Sequence, residues 1–187
     1  MQKIKLQDIA EIYQGLSYRR FLADDGDNFK VIVQKSIKKD GQFSDFKEVK
    51  LKGTIKHRYF SQKNDILMKI ACPNDVVCIK TEDLIIGDAA AIIRVKDNYN
   101  PQFIAHLLNN AHIKNRLSDS GKLKHTSLKA IKKLQLVIPD EKTQDKYAQL
   151  LNTINEKIIE DKKQIEFDRH LKDVILNELL EELNEIK

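Results

Sequence analysis

The chain has 187 residues, 41% hydrophobic and 33% charged, which suits one domain of ordinary size or one domain with an appendage. No run of about 18 apolar residues occurs, which excludes a membrane-spanning helix. MQKIKLQDIAEI at the N-terminus lacks the apolar core of a signal peptide, and Cys72 and Cys78 are too sparse for a disulfide framework, so reduced thiols and a cytoplasmic location are expected.

The formal net charge of +5 is unevenly spread. Residues 160–187 carry nine Asp or Glu against five Lys or Arg, leaving 28 basic against 19 acidic side chains in the rest. A basic body favours an anionic partner such as nucleic acid, although solubility alone also accounts for modest positive charge.

Residues 6–13, LQDIAEIY, read as a short amphipathic helix with Leu6, Ile9, Ala10 and Tyr13 on one face, stopped by Gly15. β-type runs follow at Phe29–Val33, Val49–Leu51, Asp65–Ile70, Val76–Ile79 and Ala90–Val95. Asp25-Gly26, Asp40-Gly41 and Pro73-Asn74-Asp75 separate them as turns, the pattern of a twisted, mostly antiparallel sheet. Asn100-Pro101 is a cap and first-turn proline for a helix to about Leu117, with Phe103, Ile104, Leu107, Leu108 and Ala111 inward. Thr126 or Ser127 caps a shorter helix to Lys133, and LQLVI forms a strand ending at Pro139.

Asp140 then caps a long helix. Its apolar positions, Tyr147, Leu151, Ile154, Ile158 and Ile165, are close to heptad spacing. The stripe resumes in a shifted phase at Leu171, Ile175, Leu179, Leu183 and Ile186, which resembles a stutter. With no Gly or Pro from 140 onward, the segment makes a rod of roughly 70 Å. One domain cannot cover so long a face, so the helix needs a second copy or another protein along part of its length.

Catalytic chemistry has no visible support. The five histidines (57, 106, 112, 125 and 170) are dispersed, His106 and His112 lack the spacing of a metal-binding helix pair, and no phosphate-binding glycine loop or nucleophile elbow occurs. No metal and no cofactor are expected. Binding is better supported. Between His112 and Lys133 stand Lys114, Arg116, Lys122, Lys124, Lys129, Lys132 and Lys133, with Asp119 the one acid. SGKLKHTSLKAIKK combines a glycine turn, hydroxyls and a helix start, all suited to phosphate oxygens. Tyr18-Arg19-Arg20 and Lys56-His57-Arg58-Tyr59 mix aromatics with cations in loop-like segments. Solvated basic loops give the same pattern. The candidate DNA-binding set is Tyr18, Arg19, Arg20, Lys35, Lys56, His57, Arg58, Tyr59, Lys122, Lys124, His125, Thr126, Ser127 and Lys129.

In order, these features resemble one half of a type I restriction–modification specificity subunit. The half-repeat opens with L-x-D-I-A-E-I-x-x-G, here Leu6 to Gly15, followed by a G-D-I-L strand, here Asn64-Asp65-Ile66-Leu67. A glycine and hydroxyl-rich turn leads to l-x-x-i-x-i-P, here Gly121 through Thr126 and Ser127 to Pro139. The closing helix motif is carried by Gln144, Tyr147, Leu151, Ile154, Asn155 and Ile158. Asn64 stands where the family has glycine, Asp140 where it has a second proline, Thr143 where it has glutamate, and Asn155 where it has aspartate.

The resemblance implies an α+β fold: a target recognition domain over 1–139, with a twisted, mostly antiparallel sheet and flanking helices, and a coiled-coil helix over 140–187 for spacing, dimerisation and methyltransferase docking. It implies a non-catalytic subunit that recognises half of a bipartite double-stranded DNA target and positions modification and restriction subunits, with S-adenosylmethionine on the methyltransferase. Members of full length carry two recognition domains and two helices. A chain with one of each implies a homodimer through antiparallel helices, with Tyr147, Leu151, Ile154, Ile158, Ile165, Leu171, Ile175, Leu179 and Leu183 at the seam, or a fragment of a longer protein. The alternative is a coiled-coil adaptor, a truncated or silent relative that assembles with the methyltransferase without reading DNA.

Overall fold

A computed structural model of the chain describes residues 2–72, 74–117 and 125–185. They divide into two compact units, Met1–Ala148 and Gln149–Lys187. The partition falls beyond the expected 139/140 boundary because the first turns of the long helix are built into the first unit: Gln144 and Ala148 are each 2% exposed.

In chain order the first unit holds β1 (Gln2–Lys5), α1 (Leu6–Ile9), β2 (Ala10–Gln14), β3 (Leu22–Ile32), β4 (Lys47–Leu51), β5 (Ile66–Lys69), β6 (Val76–Cys78), β7 (Ile85–Ile86) and β8 (Ala90–Val95). Then come α2 (Pro101–Asn109), α3 (Ala111–Leu117), α4 (Leu128–Lys133), β9 (Gln135–Ile138) and the start of α5 (Glu141–Glu185). Among the described residues these strands form three sheets, ordered β1-β9, β2-β8-β5-β6 and β4-β3-β7. Pairing is antiparallel except between β3 and β7, where Val31 faces Ile85 and Ile32 faces Ile86.

The four-stranded sheet is apolar on both faces because alternate residues of each strand point oppositely. Ile12, Ile66, Met68, Ala91 and Ile93 join one cluster with Leu6, Ile9, Phe103, Ile104, Leu108, Ile131, Leu136, Ile138 and Ala148. Leu67, Val77, Ala90 and Ile92 face the other way, onto Ile32 and Ile86 of the three-stranded sheet. Each fully buried Ile or Leu contributes roughly 1.5–3 kcal/mol. Helices therefore cover one face and a second sheet the other.

Several sequence expectations change. The helix read over 6–13 is a single turn, Leu6–Ile9, after which Ala10–Gln14 pairs residue by residue with β8. Burial of both Leu6 and Ile9 by the turn, then of Ala10 and Ile12 by strand alternation, mimics one helical stripe. The helix expected from 101 to 117 breaks at Asn110, which is extended (φ −62°, ψ 133°) and whose side chain accepts from the His112 amide at 2.9 Å, starting α3. Asp25-Gly26 is no turn between strands. It lies in a bulge of β3, where both Leu22 and Asp27 pair with Leu51, and a Cβ on Gly26 would sit 2.5 Å from the Leu51 carbonyl.

The caps are where the sequence places them. Asn100 Oδ1 accepts from Phe103 N at 3.0 Å, Ser127 Oγ from Ala130 N at 3.2 Å, and Asp140 Oδ1 from Thr143 N at 3.0 Å. Each satisfies a helix donor that has no partner within its own helix.

Candidate nucleic-acid interface

Two of the cationic segments are short 3-10 turns, Tyr18–Phe21 and His57–Tyr59. Far apart in sequence, both are tied to the end of β7. Leu16 forms a parallel bridge with Gly87, its amide donating to the Ile86 carbonyl at 2.7 Å, and Phe60 bridges to Ile85. Leu16, Tyr18, Val31, Leu51 and Ile85 are buried together, with Phe21, Tyr59 and Phe60 packed against them. The close approach that allows this requires glycine: a Cβ on Gly15 would lie 2.2 Å from the Gly87 carbonyl oxygen. Arg19, Arg20, Lys56, His57 and Arg58 stay exposed around this shared apolar base. Tyr18 does not. At 6% exposure its ring is part of the base, so it supports Arg19 and is unavailable for stacking on a nucleotide.

Beside the first turn lies an open groove of about 470 Å³ lined by Tyr18, Arg19, Val33, Gln34, Lys35, Lys69, Gly87, Asp88 and Ala89. Arg19 and Lys35, both predicted, meet here. Lys69, Gln34 and Asp88 were missed, since each lies on a separate segment with no local pattern to mark it. Lys69 binds Asp75 at 2.9 Å, and the same carboxylate also takes Lys114 at 3.4 Å. Two ammonium groups on one 6%-exposed carboxylate leave local positive charge.

The third segment approaches the groove through β5. Ile70 N donates to the Ala89 carbonyl at 3.0 Å, Thr126 N donates to the Ile70 carbonyl at 2.8 Å, and His125 bridges to Ala71. His125, Ser127 and Lys129 are exposed, while Thr126 is 3% exposed and its hydroxyl donates to Asn74 Oδ1 at 2.9 Å. Thr126 thus holds a tight turn (Asn74, φ 57°) rather than facing a ligand. The Ser127 hydroxyl oxygen accepts from Ala130 N in the α4 cap. Lys122 and Lys124 lie outside the described residues.

At the second turn a column of alternating rings and guanidinium groups forms. Arg94 Nε and Nη2 donate to Asp65 Oδ1 and Oδ2 at 2.9 and 3.1 Å, and Nη2 also reaches the Phe60 carbonyl at 2.7 Å. Arg94 lies 5.5 Å from the centre of the Tyr13 ring, and Arg58 lies 5.8 Å from it. Arg58 also sits 4.9 Å from the Tyr59 ring and donates to the Tyr59 hydroxyl at 2.8 Å. Burial pushes the Tyr13 phenol up to about 12, and its hydroxyl has no hydrogen-bond partner among the described residues. Burial would lower Arg94, but the hydrogen bonds and charge of Asp65 outweigh it and hold the guanidinium above its ordinary value.

Nothing among the described residues gathers three or more His, Cys, Asp or Glu side chains suited to a metal ion. No helix is long and apolar enough to cross a membrane among them. Cys72 and Cys78 form no disulfide among the described residues, and burial, then the charge of Asp65, raises the Cys78 thiol to about 11.

The second unit is helix throughout its described length. Of the expected seam residues, Tyr147 at the end of the first unit and Ile154, Ile158, Ile165, Leu171, Ile175 and Leu179 in the second are 41–55% exposed. Leu151 is half-buried, and the side chain of Leu183 lies outside what is described. Leu150, Phe167, Val174, Leu176 and Leu180 are also exposed, so the apolar surface is broader than one heptad stripe.

The model of the type I restriction modification DNA specificity domain matches residues 1–166. No curated protein matches. Among solved structures, the fold is similar to a chain reported for complex assembly and conformational transition of the type I R-M system, with TM-score 0.69, 16% identity, and coverage of 92% of this chain and 43% of that one. It is similar to the HsdS subunit from Thermoanaerobacter tengcongensis, with TM-score 0.68, 15% identity, and coverage of 85% and 43%. It is also similar to the type I restriction-modification system S subunit from M. genitalium, with TM-score 0.55, 15% identity, and coverage of 92% and 43%. The chain thus spans less than half the length of the solved chains it matches. With the family model matching 166 of its residues, the chain belongs to the type I restriction modification DNA specificity domain family.

Proposed function

We propose that the first unit reads one half of a bipartite double-stranded DNA target, and that the chain catalyses nothing itself. The observation that carries this reading is the convergence of the Arg19-Arg20 and Lys56-His57-Arg58 turns on β7, beside a groove bearing Lys35 and Lys69. Cations held on a rigid apolar base suit phosphate oxygens and base edges, whereas lysines scattered over solvated loops need no such base.

The exposed apolar residues of α5 would join a second copy in antiparallel fashion and offer a platform to a modification subunit, which would carry S-adenosylmethionine, and to a restriction subunit. A two-fold pair predicts inverted half-sites around an unread spacer. The test is duplex selection from a randomised library by the full chain, followed by a salt titration. A preferred sequence with a steep linear fall of log K against log salt supports the reading. A shallow response with no preferred sequence overturns it and leaves an assembly adaptor. Charge reversal at Arg19 and Arg20 should weaken DNA binding and leave self-association intact. A stable monomer in light scattering, with no partner bound, would sink the homodimer.

A further inference from the structure

Resting on the DNA-reading proposal above, we propose that Arg58 is a base-reading residue, specific for a guanine edge, and that Tyr59 and Tyr13 are its positioning residues. Among the exposed cations of the two turns, Arg58 alone is held in place. Its guanidinium is 4.9 and 5.8 Å from two ring centres and its Nη2 donates to the Tyr59 hydroxyl at 2.8 Å. Arg19, Arg20, Lys56 and His57 have no side-chain partner among the described residues.

That difference separates two tasks. A phosphate contact tolerates a swinging cation, since any approach to the oxygens gains Coulomb energy and releases counterions. A bidentate contact with guanine O6 and N7 needs two N–H groups in a fixed plane, and freezing a long side chain on binding costs rotamer entropy. The Tyr13 and Tyr59 rings meet that cost in the free protein, because guanidinium groups favour aromatic faces within about 6 Å.

Charge bookkeeping points the same way. Arg94 also lies against Tyr13, but Asp65 neutralises it with two hydrogen bonds. Arg58 has no carboxylate partner among the described residues, so its charge and its remaining donors are free for a ligand. Asp65, Arg94, Tyr13 and Arg58 thus form a column that starts on a 2%-exposed carboxylate and ends on an exposed fork.

The test measures affinity of the full chain for its selected duplex and for duplexes changed at each base pair in turn, with a salt titration for each variant. Arg58→Ala should remove discrimination at one G·C position by on the order of 10- to 100-fold, leaving affinity for unrelated duplexes within about two-fold and the salt slope nearly unchanged. Arg58→Lys keeps the charge but not the fork, and should fail to restore that discrimination. Tyr59→Phe should reduce discrimination at the same position only. Arg19→Ala should instead weaken all duplexes alike and lower the slope by about one. If Arg58→Ala behaves as Arg19→Ala is expected to, or Arg58→Lys rescues fully, this proposal is overturned and DNA reading stands. If the wild-type chain prefers no duplex, both fall.

Discussion

Arg94 grips Asp65 with both ends of its guanidinium fork, Nε to Oδ1 at 2.9 Å and Nη2 to Oδ2 at 3.1 Å, joining β8 to the residue just before β5. Asp65 also accepts from the Gln62 amide at 2.9 Å, so both carboxylate oxygens are spoken for. With side-chain exposures of 16% and 2%, removing one partner strands a desolvated charge. Asp65→Ala should cost about 3–5 kcal/mol in a chemical denaturation midpoint. Replacing both, as Asp65→Leu with Arg94→Met, should recover much of that loss. A single variant within about 1 kcal/mol of wild type contradicts this account.

Gln144 is the second buried polar junction. Its Oε1 accepts from Asn100 N at 3.0 Å, and its Nε2 donates to the Pro139 carbonyl at 3.0 Å. Asn100 in turn caps α2 and donates from Nδ2 to Asp145 at 2.7 Å. One amide therefore ties the start of α5 to the start of α2 by acting as donor and acceptor at once. Gln144→Glu, nearly isosteric, should be as damaging as Gln144→Leu at neutral pH, because a carboxylate cannot donate to Pro139 and faces its carbonyl instead. Each should cost about 1–3 kcal/mol. Gln144→Glu matching wild type in thermal unfolding would show the Pro139 bond to be dispensable.

The junction also shows what the sequence could and could not reveal. Caps at Asn100 and Asp140 were legible because capping is local chemistry, and the α4 cap was narrowed to Thr126 or Ser127, of which Ser127 serves. The family's glycine at position 64 is explained by backbone: Asn64 has φ 70°, a left-handed conformation that glycine adopts freely and asparagine tolerates. The Gln144 motif was visible, but its role required knowing that α2 begins beside α5. The two-residue strand β7 carries no periodicity at all, yet it brings the Tyr18 and Tyr59 turns together. Tyr18 and Thr126 looked like ligand contacts because aromatic and hydroxyl side chains serve equally in interfaces and cores. Only burial separates the two uses.

Tyr13 presents a testable imbalance. Its hydroxyl is enclosed without a partner among the described residues, while its ring lies against Arg58 and Arg94. Tyr13→Phe keeps the ring and removes the unsatisfied group, so it should be neutral or stabilising by up to about 1 kcal/mol. Tyr13→Ala should destabilise by several times that amount. With the phenol raised from 10.0 to about 12 in the folded chain, the unfolded state loses its proton first. The stability linked to this group is therefore complete below pH 10 and falls between pH 10 and 12. Tyr13→Phe should lose that part of the alkaline fall, as read from urea midpoints against pH.

The N-terminus of α5 should respond at the opposite end of the pH scale. Asp140 accepts from Thr143 twice, from the hydroxyl at 2.9 Å and from the amide at 3.0 Å. These bonds favour the carboxylate and hold the group below its ordinary 3.8. A depressed folded value means that the unfolded chain binds the proton first as pH falls. The capping contribution is therefore full well above pH 3.8 and declines as pH drops through the folded value. Asp140→Asn keeps a side-chain oxygen for the Thr143 amide but cannot ionise. Its amide protection in the first turn of α5 should be independent of pH from 2 to 6, whereas the wild-type turn should lose protection in the acid part of that range. Parallel profiles for the two proteins would mean that the carboxylate charge contributes nothing to the start of this helix.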